Sequence, residues 1–474
     1  MRMHKTVRFT ISLLFLVNIS FAQSVQQKIE NAVKRLLADS SMKHAILGLY
    51  VLNSKTNEIL YDQNGETGLA PASCQKIFSS IAAMDLLGHD YRFKTELGYE
   101  GTIKDGELNG NLFFIGYGDP TLGSWRFNET KDSVVLNKWM HEIKNAGIKK
   151  INGNVYLDNS KFSFNPIPGG WIWDDIGNYY GAGHWGLNWH ENQYDLVLQP
   201  GTKEGDITKI LKALPEMYLG FIDNFIKTGK AGSGDNGYIY MSPYNAYGFT
   251  EGTIPLQENP FTISGSISLP SEKLLSLLNK QFDKNNFNVE EKRFKTTEGL
   301  IGNNLTIPKP ATVFYTHYSP SLDSINYHFL KHSINLYGEA LVRTMAYEKN
   351  GFGHTDSGVN IVRKFWQERG IEKSALHIMD GSGLSPQNRV TAHALVTALQ
   401  YARTRDWFKS FYFDLPEYNQ MKLKSGSIGG ARSFAGYHTA KDGTEYTVAI
   451  IVNNYDGSSS AIVKKMFLIL DELK

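Results

Sequence analysis

The chain has 474 residues and a single cysteine, Cys74. One cysteine cannot close an intrachain disulfide, so the fold must be held by its hydrophobic core, which a chain of this length can build. Net charge is nearly absent too, with 49 Lys and Arg against 47 Asp and Glu. That balance gives no electrostatic footprint for nucleic acid. No low-complexity tract argues for disorder, no repeat of 20–50 residues argues for a solenoid, and beyond residue 22 no apolar run is long enough to span a bilayer. Histidines are sparse at metal-type spacings. "MHEIKN" and "WHENQY" lack the second histidine of a His-Glu-x-x-His site, and "GYGDPTLG" has the wrong glycine spacing for a dinucleotide loop. Neither a metal nor a cofactor is expected.

Residues 1–22 do hold an apolar run. Arg2, Lys5 and Arg8 precede it, and Ser20 and Ala22 are small residues placed for cleavage before Gln23. This pattern reads as a secretory signal peptide. Its removal takes three positive charges from the formal +2, leaving −1. The mature chain is then expected to be exported, with no integral membrane span.

The rest divides by texture. Val25 to Leu37 has an amphipathic helical period. "AILGLYVLN" and "EILYDQN" read as a hairpin, and a helix is expected from about Ser73 to Gly88. From about 92 to 305, short apolar runs alternate with Gly, Asn and Asp, as in β-rich material with many turns. "SINYHFLKHSINLYGEALVRTMAYE" then carries one helical apolar face through Leu330, Ile334, Tyr337, Leu341 and Met345. The end reads as strand, turn, strand and helix. Helices at both ends with an antiparallel carboxy-terminal sheet predict one α+β domain made from 23–91 and 306–474, with the β-rich 92–305 inserted.

Three short patterns carry potential chemistry. Ser73 and Lys76 in "GLAPASCQK" are three apart, on one face of a helical turn. A serine hydroxyl becomes a nucleophile only when a base takes its proton, and a lysine whose pKa is lowered by burial can be that base. Alone the pattern is weak: Ser40 and Lys43 match it by chance, and Ser73 could equally cap a helix. Ser333 and Asn335 in "KHSINLYGEAL" supply a hydroxyl for proton relay and an amide to hold a peptide backbone. Lys424–Ser427, "KSGS", leads into a strand along which a peptide could lie as an added strand. Its lysine adds positive potential, its hydroxyls suit a carboxylate, and Gly426 permits close approach. A second "SIN" at Ser324 and a literal "KTG" at Lys227–Gly229 stand beside them as decoys. A penicillin-recognising site needs the Ser-x-x-Lys, Ser-x-Asn and Lys-(Ser/Thr)-Gly groups in that order, and this "KTG" precedes both Ser-x-Asn candidates. Cys74, about 100° from Ser73 on a helix, should point into packing.

Together "APASCQKIF", "HSINLYGEAL", "DGSGLSPQNRVT" and "KSGSIGGARSFAGY" resemble the D-alanyl-D-alanine carboxypeptidase/endopeptidase family, the class C penicillin-binding proteins. "FFIGYGDPTL", "INGNVYLDNSKF" and "GWIWDDIGNYYGA" extend the resemblance through the middle. It implies a serine β-lactamase/transpeptidase-like domain interrupted by two smaller domains. It implies catalytic roles for Ser73, Lys76, Ser333, Asn335 and Lys424, and substrate binding by Ser425, Gly426 and Ser427. Asp158, in "YLDNSKF", would contact the free amino end of a stem-peptide side chain, or else simply cap a turn. The implied partners are peptidoglycan stem peptides and, as covalent inhibitors, β-lactam antibiotics; the implied location is the periplasm. Departures are Ser425 for the usual threonine, Ile334 where aspartate is frequent, and Pro386 where some relatives are basic. The patterns leave open which group is the general base. They also leave open a β-lactamase or a non-catalytic cell-wall binding protein on the same fold. A lipase-type hydrolase would need Gly-x-Ser-x-Gly around Ser73, which is missing.

Overall fold

Six antiparallel strands form the main sheet, and its middle strands are hydrophobic at nearly every position because both faces are covered. The computed structural model describes residues 24–216, 222–287, 289, 293–302 and 306–474; the expected signal peptide lies outside the described residues. Strand order runs Glu417–Tyr418, Met421–Ile428, Ala431–Thr439, Glu445–Asn453, Ile46–Asn53 and Ile59–Gln63. The two ends of the chain thus meet in the middle, where Ile46–Asn53 pairs along its whole length with Glu445–Asn453.

Strand periodicity decides what each face touches. Leu47, Leu49, Val51, Val448, Ile450 and Val452 face the terminal helices Val25–Leu37 and Ser459–Leu470. Tyr50, Leu52, Ala449 and Ile451 face the opposite way, into the core built with the helices Lys76–Leu86, Asn335–Asn350 and Ala392–Arg403.

The inserted region has two further cores. In the first, strands Phe294–Thr296, Val155–Asp158, Glu107–Gly116, Lys94–Lys104 and Thr312–Tyr318 lie side by side, with helices Asp132–Asn145 and Pro270–Lys284 packed through Trp139, Leu274 and Phe282. The second lies within the first in sequence. A three-stranded sheet (Phe261–Ser266, Gln193–Gln199, Lys209–Leu214) and a four-stranded one around Gly248–Pro255 share a core of Leu196, Ile239 and Ile263.

One expectation needs correction. The insert does not close at 305: Thr312–Tyr318 still pairs with Lys94–Tyr99 in its sheet. The stretch 324–348 holds two helices, Leu322–Lys331 and Asn335–Asn350, with Ser333 between them at φ +58°, a left-handed conformation that ends one helix and re-aims the next.

Candidate active site

The break at Ser333 matters because it lies against the main sheet. Ser73, Ser333, Asn335, Ser425 and Ser427 line one cleft of about 740 Å3. Ser73 belongs to a 3-10 turn, Ala72–Gln75, that leads into the Lys76–Leu86 helix. Three residues per turn bring side chains at i and i+3 into register, so Lys76 falls directly beneath Ser73. The turn is entered through Ala72 at φ +45°, a position costly for a residue with a Cβ. The Met421–Ile428 strand approaches so closely that a Cβ on Gly426 would lie 2.4 Å from Pro71 O and 2.9 Å from Ser73 N. Only glycine fits there.

Lys76 is wholly buried, behind Ser73. Its Nζ lies 2.9 Å from Ser73 Oγ, 2.6 Å from Asn335 Oδ1 and 2.8 Å from Ser382 O. The Asn335 amide orientation is fixed by its other end, where Nδ2 donates to Tyr180 O at 2.8 Å. Burial above all, then the positive charge of Lys424, holds Lys76 well below the ordinary lysine pKa. A neutral amine has two N–H groups and one lone pair. Asn335 Oδ1 and Ser382 O can only accept, so they take the two N–H groups. In that neutral form the lone pair would face the one neighbour with a proton to give, the Ser73 hydroxyl.

Lys424 forms a second pair. Its Nζ donates to Ser333 Oγ at 3.1 Å and to Ser425 O at 2.8 Å, and burial lowers its pKa to about 8. Cys74 is fully buried and turned away from the cleft. Its thiol donates to Lys424 O at 3.0 Å, and burial pushes it up to about 11, so it is an unreactive thiol. The decoys fall elsewhere. Ser324 sits in the first turn of the Leu322–Lys331 helix, and Lys227–Gly229 is a strand of the inserted small sheet.

Asp158 is not brought to this cleft. It ends a strand of the inserted sheet, where its carboxylate accepts the Ser160 N–H at 2.8 Å, as a turn cap does. The carboxylates lining the cleft are Asp175 and Glu191. Burial raises Asp175 to about 6. Glu191 is held by Ser124 Oγ (2.7 Å), Arg126 Nε (2.9 Å) and Tyr337 OH (2.7 Å). It lies in a turn in which His190, Glu191 and Asn192 all have positive φ. Since Tyr337 is two residues past Asn335, this network ties the insert to the helix that carries the Asn335 amide.

Sequence reasoning assigned nothing to Asp380, yet it organises the floor. Its buried carboxylate accepts from Gln75 Nε2 (2.8 Å), Trp171 Nε1 (2.9 Å), Gly383 N (2.8 Å), Ser385 N (2.7 Å) and Asn388 Nδ2 (3.0 Å). These bonds shape the loop that delivers Ser382 O to Lys76. "DGSGLSPQN" was the available signal: the donors at 383, 385 and 388 are spaced as an acidic residue wrapped by its own loop requires.

The comparisons with known proteins concern the family and the fold. A model of the D-Ala-D-Ala carboxypeptidase 3 (S13) family matches residues 29–473. The chain is 27% identical over 467 residues to a D-alanyl-D-alanine carboxypeptidase of Actinomadura sp. (strain R39), covering 91% of this chain and 82% of that protein. It is 26% identical over 434 residues to the D-alanyl-D-alanine carboxypeptidase DacB of Haemophilus influenzae, covering 86% and 85%. Penicillin-binding protein 4 from H. influenzae superposes with a TM-score of 0.77 at 23% identity, over 94% of this chain and 99% of that one. At that identity the likeness speaks for the fold. A second structure of that protein, in complex with a β-lactam, superposes at 0.71. With the family model spanning nearly the whole described chain, this protein belongs to the D-Ala-D-Ala carboxypeptidase 3 (S13) family.

Proposed function

We propose that the chain is an exported serine D-alanyl-D-alanine carboxypeptidase/endopeptidase of peptidoglycan, acting through a Ser73 acyl-enzyme that β-lactams also form. The observation that carries this reading is the surroundings of Lys76 Nζ: two fixed acceptors and one serine hydroxyl around a buried amine whose pKa burial depresses.

In this mechanism Ser73 gives its proton to Lys76 as Oγ bonds to the carbonyl carbon of the penultimate D-alanine. The backbone N–H groups of Ser73 and Ser427 take the developing oxyanion, each worth about 3–4 kcal/mol. The C–N bond breaks, and the leaving amine receives a proton through Ser333, backed by Lys424. Water then adds to the ester, releasing the shortened peptide and restoring the Ser73 hydroxyl. Asn335 holds the substrate backbone, while Ser425, Ser427 and the Lys424 charge bind its terminal carboxylate. Gly426 leaves room for that strand. Every proton in this scheme moves between groups of the chain and the substrate, so the chemistry asks for no cofactor. On geometry, Asp175 in the cleft is better placed than Asp158 to meet an amino-bearing stem-peptide side chain.

Intact mass after incubation with benzylpenicillin tests the reading, with Ser73→Ala and Cys74→Ala alongside. A stable adduct lost only in Ser73→Ala is expected. No adduct on the wild-type chain would leave a non-catalytic wall-binding protein, and rapid drug hydrolysis would make it a β-lactamase.

A further inference from the structure

Beside the cleft, one face of the small four-stranded sheet is aromatic and open to solvent. Along Asn236–Met241 the side chains alternate: Ile239 and Met241 are buried in the small core, while Tyr238 and Tyr240 point the other way. Across the ladder Tyr240 pairs with Phe249, their rings stacked at 4.8 Å. Phe249 reaches Phe225 at 6.4 Å, and Tyr240 reaches Tyr238 at 6.3 Å and Trp173 at 6.1 Å. Phe225, Trp173 and Tyr238 are 54%, 48% and 41% exposed. A contiguous exposed apolar strip of this kind marks a binding surface, whereas scattered surface aromatics would need no explanation.

Two observations say what covers it. The strip is continuous with the substrate cleft, because Tyr238 lines both. Its rim is acidic: Asp174 and Glu251 are exposed and lie within electrostatic reach of Tyr240. Aromatic faces are electron-rich and pack against the polarised C–H faces of pyranose rings, and flanking carboxylates accept hydroxyl and amide N–H groups. The same rim repels polyanions such as nucleic acid or acidic lipid. A stem peptide is carried on an amino-sugar polymer, so a peptide in the cleft brings that polymer to the cleft mouth.

We infer that the Phe225–Phe249–Tyr240–Trp173 strip, joined to the cleft through Tyr238, binds the glycan strand that bears the stem peptide. This rests on the peptidoglycan reading of the preceding section. The probe is peptide-free glycan strands prepared by amidase digestion of peptidoglycan, titrated against the mature protein and its Tyr240→Ser/Phe249→Ser double variant. Strand affinity should fall about tenfold or more in the variant, as for loss of anchoring aromatics. D-alanine release from polymeric peptidoglycan should fall with it. Release from a free stem peptide and labelling by benzylpenicillin should stay unchanged. Tyr240→Trp should retain strand binding. Where the double variant fails to fold, Trp173→Ala carries the test, and undiminished strand binding there would overturn the inference. So would a wild-type protein that labels with penicillin but ignores the strands. A concentration-dependent dimer dissolved by the variant, with no strand binding, would assign the face to a second copy instead. Strand binding without any penicillin adduct would keep the glycan strip and remove the peptidase.

Discussion

Replacing the Asn335 amide nitrogen with oxygen should disable this site electrostatically. The Asn335→Asp variant puts a carboxylate 2.6 Å from Lys76 Nζ, where the wild-type chain has a neutral acceptor. With an effective dielectric constant of about 20, one unit charge at that distance stabilises the ammonium by about 6 kcal/mol. That energy is worth more than four powers of ten in the proton equilibrium and opposes the burial that depresses Lys76, so acylation by benzylpenicillin at pH 7 should slow by about 10^3. The rate should also climb with pH across the alkaline range, because the base is regained only as the ammonium gives up its proton. Asn335→Ala removes the acceptor but adds no charge, so it should be much less damaging at pH 7. Stopped-flow acylation from pH 6 to 11 on the two variants separates the cases. An Asn335→Asp enzyme with the wild-type rate and pH profile would refute the assignment of neutral Lys76 as base.

Lys424 carries its charge up to about pH 8, so a mechanism that needs the ammonium should lose kcat/KM as pH rises through about 8; in Lys424→Arg that limb should move beyond pH 10, and a limb left at 8 would put the titrating group elsewhere. Cys74→Ala should form the penicillin adduct within a factor of about two of the wild-type rate, because the buried thiol is turned away from the cleft and packs as a small hydrophobe. Asp175 ionises above about pH 6, so its attraction for an ammonium-bearing side chain should appear as pH rises through that value. KM for amino-bearing peptides should therefore rise in Asp175→Asn at pH 8, and Asp158→Asn should leave KM unchanged. Asp380→Asn turns an NH2 group toward at least two of five donors and should cost about 3 kcal/mol, read as a lower midpoint in urea.

What could be read from sequence was set by local pattern. The hairpin of Ile46–Asn53 and Ile59–Gln63 and the strand–turn–strand end declare themselves through short apolar runs bounded by turn residues. Ser73 and Lys76 declare themselves through spacing within one turn, and Ser333 was separable from Ser324 only by the longer "SINLYGEAL" context. What local pattern could not supply is long-range contact. The apolar face from Leu330 to Met345 runs on across the helix break, because residues on both sides of it pack into the same core. Ser333, at that break, meets Lys424, ninety-one residues away in sequence, only in the fold. Asp158 has a charge suited to an amino group, and in the fold its carboxylate accepts the Ser160 N–H of its own turn, the second of the two roles its sequence context allowed. Asp175, in a stretch already quoted for its resemblance, reaches the cleft only because the inserted sheet folds back on the main domain.

Strain and pKa point to the same design. Ala72 and Ser333 both hold positive φ, each costing about 1–3 kcal/mol; one stands immediately before Ser73, the proposed nucleophile, and the other carries the proposed relay hydroxyl. Lys76 is buried at a further cost, since in the unfolded chain it would be protonated and solvated up to about pH 10. Its folded pKa is depressed, so its contribution to stability improves as pH rises from that depressed value toward about 10. Burial likewise lifts Glu339 to about 8, so in both groups burial favours the uncharged form. Two buried groups pushed toward their uncharged forms are a poor arrangement for holding a fold together, because an ion pair or an apolar pair would serve better. It suits a site whose lysine must hold an available lone pair. The Glu339 carboxyl oxygens, both 3.1 Å from Gly381 N, accept from the loop that carries Ser382 O. That loop in turn fixes one of the two acceptors around Lys76. The unfavourable terms therefore gather around one nitrogen atom, and the large apolar cores on either side of the sheet are what the fold has to offset them.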